Sequence, residues 1–268
     1  MKKLLLLATF LSPLLFACQS KQAERKSDKQ PQTILVATAG DIKPFAFEED
    51  GNLTGYDIEV LKAVDKKLPD YQVEFKRTSW ESIFPGLDSG HYQVAANNLS
   101  YTDERAAKYL YSLPIARNPL VLVTRKGAAI TSLDDIGGKR TQDDTGTSTA
   151  KLVTDWNQQH QDNPSLIDYS GEDVSKRLMD LDNGEFDYLI FDKISVDSIV
   201  AEKGYNLTSV ELEGNPLNYL IFAKENAAFQ KEFNRVIKEL YRDGSLEKLS
   251  QKFLGGSYLP SEKELSGS

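Results

Sequence analysis

Short apolar runs alternate with helical patterns from residue 33 to residue 253, and this constrains the fold more than any other feature of the chain. Residues 33–38 (TILVAT), 93–97 (QVAAN), 118–124 (NPLVLVT), 186–191 (FDYLIF) and 219–223 (YLIFA) are short apolar runs that read as strands. Residues 71–76 (YQVEFK) alternate apolar with polar, as a half-buried strand does. Between these runs, residues 56–67 place Ile58, Leu61 and Val64 at helical spacing, and helices are also predicted at 80–88, 102–110, 150–158, 173–181 and 228–241. Strands alternating with helices predict α/β architecture. In such folds ligands sit beyond the carboxyl ends of strands, so chemistry is sought there.

The start of the chain reads differently. Lys2 and Lys3 precede an apolar run to Leu15, then Phe16-Ala17-Cys18, where Cys18 is the single cysteine. This is the pattern of a secretory signal over residues 1–17. Leu15-Phe16-Ala17-Cys18 resembles a lipobox, so Cys18 is expected to carry a diacylglycerol and become the new N-terminus; a plain secreted protein is the alternative. The apolar run is short for a membrane span, whereas two acyl chains hold a protein on the outer face of a membrane. Residues 18–32 are expected to be the lipidated cysteine and a flexible linker, and residues 259–268 a frayed tail.

Composition removes several classes of function. One cysteine excludes disulfides and thiolate clusters, and two distant histidines, His91 and His160, argue against a metal site. The net charge is −8. Loss of Lys2 and Lys3 with the signal lowers the basic count from 32 to 30 against 40 acidic residues, giving −10. Such a chain is no nucleic-acid binder by default, and nothing in it calls for a cofactor.

Polar groups gather at three places. The strand at 93–97 ends in Asn97-Asn98-Leu99-Ser100, and Thr102 can cap a helix whose first turn holds Asp103, Glu104 and Arg105. The helix dipole disfavours a cation there, so Arg105 either grips a carboxylate guest or pairs on the surface with Asp103 or Glu104. Asp143-Asp144-Thr145-Gly146-Thr147-Ser148 leads into a helix and is either an anion nest or an ordinary capped start. Asp192 ends the strand at 186–191, as an ammonium partner or as a helix N-cap. Phe45, Phe47 and Trp80 are candidate walls or core residues. Together the three clusters match an amino acid: carboxylate to arginine and N–H donors, ammonium to aspartate, apolar part to aromatic rings.

The residues that make this match also resemble a family, the amino-acid-binding lipoproteins of ABC importers (type II periplasmic binding proteins), from Ile34 to Gly255. Lys43-Pro44-Phe45 is similar to its Pro-Phe turn and Gly55-Tyr56-Asp57 to its helix start. Trp80 and Pro85-Gly86-Leu87 follow, then Ser100-Tyr101-Thr102-Asp103-Glu104-Arg105, Leu133-Asp134-Asp135-Ile136-Gly137-Gly138-Lys139, Gly146-Thr147-Ser148, Phe186-Asp187 with Asp192, and Asp243-Gly244-Ser245. The resemblance implies two lobes, each a mixed sheet flanked by helices, joined by two hinge crossings: residues 33–123 plus 220–258, and 124–219. It implies that Arg105 and Ser100 hold the carboxylate, Asn98 offers a carbonyl to the ammonium, Ser148 and its neighbour Thr147 contribute from the second lobe, Asp192 holds the ammonium, and Trp80 faces the side chain. The aromatic residue usual three places before the turn phenylalanine is Ile42, so Phe47 or Trp80 stands in as the wall. Trp80-Glu81-Ser82-Ile83-Phe84 and Asn97-Asn98 resemble cystine-binding members, which ranks cystine first and other polar amino acids second. A monomer is expected, delivering its ligand to a membrane permease and doing no chemistry on it. The alternatives are a dehydratase-like enzyme of the same fold and an adhesin.

Overall fold

The computed structural model describes residues 30–169 and 171–266, and residues 31–268 form one compact unit. The expectations for residues 1–17, for Cys18 and for most of the linker lie outside the described residues.

In chain order the strands and helices are β1 Gln32–Thr38, β2 Asp41–Ile42, β3 Ala46–Glu49, β4 Asn52–Thr54, α1 Tyr56–Asp65, β5 Tyr71–Arg77, α2 Trp80–Asp88, β6 Val94–Ser100, α3 Asp103–Lys108, β7 Leu110–Tyr111 and β8 Ala116–Arg117. There follow β9 Leu120–Arg125, β10 Arg140–Gln142, α4 Ser148–Gln159, β11 Leu166–Asp168, α5 Val174–Asn183, β12 Leu189–Asp192, α6 Lys193–Lys203, β13 Leu207–Glu211, β14 Leu217–Phe222, α7 Ala227–Arg242, α8 Ser245–Leu249 and α9 Glu262–Ser266.

The first sheet runs β5-β1-β6-β14-β7, with β8 also on β14; β1 is parallel to β5 and β6, while β14 is antiparallel to its neighbours. Its inner strands β1, β6 and β14 are covered on both faces, which is why they read as nearly continuous apolar runs, whereas the edge strand β5 alternates. Side chains alternate across the pleat. Val36, Val94 and Ala96 join the core under α1 and α7, with Val60, Val64, Phe229 and Phe233. Ala37 and Ala95 join the opposite core with Ile83 and Leu87 of α2. The second sheet, β12-β9-β13, is antiparallel and obeys the same rule: Val121, Val123 and Leu189 face α5 and α6, while Leu122 and Ile190 face Ile136 and Val153. Beside it β10 and β11 pair in parallel.

The second sheet takes in all of Leu120–Arg125 and the first all of Leu217–Phe222, so the chain switches sheets a few residues before the boundaries expected at 123/124 and 219/220. The tail expected to fray instead folds back as α9. Leu265 is buried in the first core and Glu264 pairs with Arg117, so apolar burial holds a segment whose composition reads as polar.

Candidate functional site

Both sheets direct their strand ends into one cleft. Its lining includes Trp80, Asn98, Ser100, Arg105, Thr147, Ser148 and Asp192, seven of the eight expected ligand-binding residues, brought together from α2, β6, α3, α4 and β12.

Arg105 sits in the first turn of α3, whose cap is the Thr102 hydroxyl, accepting from the Arg105 N–H at 3.2 Å. The side chain turns away from water and is 8 % exposed. Nη1 donates to the Ser100 carbonyl at 3.3 Å and Nη2 to the Gly146 carbonyl at 3.0 Å. The guanidinium carbon lies 4.7 Å from the ring centre of Phe84 and 5.6 Å from that of Trp80, so cation–π contact supports it from behind. Burial lowers its pKa. The surface pairing with Asp103 or Glu104 does not form; Glu104 pairs with Lys108. Two neutral carbonyls leave the charge uncompensated, with donors to spare for an anion.

Asp192 is the helix N-cap that the sequence allowed, and it lines the cleft as well. Oδ1 caps α6, accepting from Ser195 N–H at 2.9 Å, and also accepts from Asn118 Nδ2 at 2.7 Å. Oδ2 is buried and has no hydrogen-bond partner among the described residues. Burial raises its pKa. A buried acceptor without a donor is costly, and an ammonium group supplied by a guest relieves that cost.

Asn98 stands between these charges. Its φ of 50° lies in the left-handed region, which Asn tolerates better than most residues. The β6–β14 register shifts at this point, a bulge that re-aims the strand end. The Asn98 N–H donates to Asp57 Oδ2 at 2.8 Å, and its side-chain oxygen accepts from Asn118 at 3.2 Å and Asn218 at 2.8 Å. Asp57 is fully buried; desolvation, opposed by that Asn98 bond and assisted by the charge of Asp192, pushes its carboxyl up to about 7. Across the cleft, Thr147 caps α4, accepting from Ala150 N–H at 3.0 Å and donating to Asp143 Oδ1 at 2.7 Å. Ser148 and Thr149 place this helix start on the cleft.

Phe47 does not line the cleft. It lies beside Lys43, whose Nζ is 5.6 Å from the ring centre, because strand alternation sends it opposite to buried Ala46. Phe45 is core, edge-on to Tyr56 at 6.2 Å. The aromatic rings in the lining are Trp80 and Phe191, and Ile42 lines the cleft as well. Trp80 Nε1 also donates to the Thr145 carbonyl at 3.0 Å, a second contact across the cleft.

Sequence reasoning missed Asp41, Asp57, Asn118, Phe191 and Arg177. Asp57 was visible in the Gly55-Tyr56-Asp57 helix start. Asn118 heads an apolar strand, where an amide is out of place. Arg177 had no signal, since one arginine in a polar helix reads as solvated.

Residues 34–256 match the family described as bacterial extracellular solute-binding proteins, family 3. The L-cystine-binding protein TcyJ of Bacillus subtilis (strain 168) is 31% identical over 267 residues, covering 98% of both chains. A solved structure reported under "Molecular and structural basis of glutathione import in Gram-positive bacteria via GshT and the cystine ABC importer TcyBC of Streptococcus mutans" superposes with TM-score 0.85 at 46% identity, covering 87% of this chain and 99% of that one. An ancestral arginine-binding protein bound to arginine superposes with TM-score 0.75 at 27% identity, covering 84% and 99%.

Proposed function

The chain belongs to the bacterial extracellular solute-binding proteins of family 3, and on that premise we propose that it captures an amino acid, cystine first and other polar amino acids second, by closing two lobes over the cleft. It is an extracytoplasmic component of an ABC importer, a binding protein and not an enzyme, and it serves a membrane permease. The observation that carries the reading is the partnerless Asp192 Oδ2 in the same cleft as a buried Arg105 that no carboxylate neutralises. One offers an acceptor to an ammonium, the other donors to a carboxylate, and Asn98 lies between them. Lobe one, with β6 and α3, binds the head group; Ser148 and Asp192 from lobe two then stabilise the closed state. Only contacts that differ between open and closed states can move that equilibrium.

Cystine ranks first because TcyJ, alike over its whole length, is named for it. A second reading is favoured by the 46% identical structure: glutathione, whose γ-glutamyl end carries the same α-amino and α-carboxylate pair. Titration calorimetry of the mature protein with cystine, glutathione, arginine and glutamine tests both. Micromolar or tighter binding of cystine supports the first, a clear preference for glutathione selects the second, and binding of none overturns the proposal.

Residues 1–17 are read as a removed signal and Cys18 as the lipidated anchor of a monomer. Among the described residues no helix is long and apolar enough to cross a membrane. Cys18→Ser should release the protein from the cell surface into the medium, and retention on the membrane fraction would contradict the anchor.

A further inference from the structure

A second guanidinium lines the same cleft. Arg177 projects from α5 and is only 4 % exposed, although arginine on a polar helix is normally solvated. Its Nη2 donates to Asp144 Oδ2 at 2.6 Å and its Nη1 lies 3.8 Å from Asp143 Oδ1. Its Nε is buried and has no hydrogen-bond partner among the described residues. Asp143 is already occupied, with Thr147 and the Asp144 N–H both donating to its Oδ1, so it orients the guanidinium more than it saturates it. A planar fork of five N–H donors is therefore held in the cleft with part of its donor set unused.

We propose that Arg177 anchors a second carboxylate, carried at the other end of a guest whose amino-acid head lies between Arg105 and Asp192; this rests on the function proposed above. The two arginines are tied to one loop, Arg105 to the Gly146 carbonyl and Arg177 to the Asp144 carboxylate. Both side chains line the one cleft, so a guest that fills it meets both. A guest with a single head group satisfies one of them; a guest with a carboxylate at each end satisfies both. Cystine has that chemistry through its second head, and glutathione through its glycyl end. Asp41, on β2, lines the same cleft within electrostatic reach of Asp144 and Arg177. It rewards an ammonium beside the second carboxylate, which cystine has and the glycyl end of glutathione lacks.

The test is titration calorimetry of the mature protein with two pairs of probes. Cystine is compared with the cysteine–cysteamine mixed disulfide, which lacks the second carboxylate. Glutathione is compared with its glycyl monoethyl ester. The free member of at least one pair should bind about 30-fold more tightly than its counterpart, the scale of one charge-assisted bidentate contact. Arg177→Gln should bring that ratio close to one. If that variant fails to fold, Asp144→Asn, which removes a competing carboxylate from a partly exposed loop, should widen the ratio by about threefold or more. Asp41→Asn distinguishes the sources: a loss confined to cystine selects a second zwitterionic head, and a gain on glutathione alone selects a bare carboxylate, either of which supports the proposal. Equal affinity within both pairs in the wild-type protein, or an Asp144→Asn ratio that does not change, overturns it while leaving the function proposed above intact. Binding of no probe overturns both.

Discussion

At the scale of single residues the cleft gathers charged groups whose hydrogen-bonding capacity the surrounding protein only partly uses. Arg105 is held by carbonyls and by the faces of Trp80 and Phe84, so removing it takes away the carboxylate clamp without unpairing a carboxylate. Arg105→Ala should weaken ligand binding by about 100-fold or more while circular dichroism stays native; retained affinity in calorimetry would refute the clamp. Asp192 separates cap from ligand contact, because asparagine caps helices about as well as aspartate. Asp192→Asn should therefore leave the melting temperature nearly unchanged yet cost roughly 10-fold or more in affinity for amino acids, and much less for their des-amino analogues. Equal losses would argue against an ammonium partner. Asp57 is read through pH. Its carboxyl sits at about 7 in the folded protein, against about 3.9 in an unfolded chain. Between those values the folded state holds the extra proton, so this group's contribution to stability falls as pH rises from about 4 to about 7 and is level above. Asp57→Asn keeps an oxygen for the Asn98 N–H and abolishes that slope. Thermal melts from pH 4 to pH 8 should show the variant gaining on the wild-type protein as pH rises, whereas parallel curves would remove Asp57 from the account.

At the scale of elements, caps and bulges aim the site. Thr102, Thr147 and Asp192 each start a helix and line or adjoin the cleft, so the local rules for beginning a helix also place the binding groups. These starts were legible because Ser, Thr and Asp before an apolar period have one obvious local use. The β6 bulge that turns Asn98 was not legible, since it depends on register against β14, a strand 120 residues later. The tail was misread for a related reason: its polar composition hides one buried anchor. Leu265→Ala should destabilise the protein by about 2 kcal/mol, the low end for a core leucine because α9 is terminal. Denaturant unfolding with an unchanged midpoint would show that α9 docks without contributing.

At the scale of the whole molecule, two contacts cross the cleft, Trp80 to the Thr145 carbonyl and Arg105 to the Gly146 carbonyl, and the closed state proposed above is the one that makes them. Ligand should shift the population toward this state, visible as a smaller radius of gyration in X-ray scattering and a change in Trp80 fluorescence. Trp80→Phe keeps a wall but loses the bond, so the ligand should leave several-fold faster in stopped flow; an unchanged off-rate would make that bond incidental. The chain by itself determined its α/β class, its helix starts and the placement of Arg105, Asp192, Trp80 and Ser148 at element ends, because periodicity and capping are local consequences of side-chain geometry. Only the tertiary structure decided that Phe47 leaves the cleft, that Phe191 enters it, that Asn118 and Asp57 bond to Asp192 and Asn98 from outside its lining, and that Arg177 is buried against Asp144. Those facts depend on which strand face meets which helix and on charges brought together across long stretches of chain, and no short window of sequence contains both partners of such a contact.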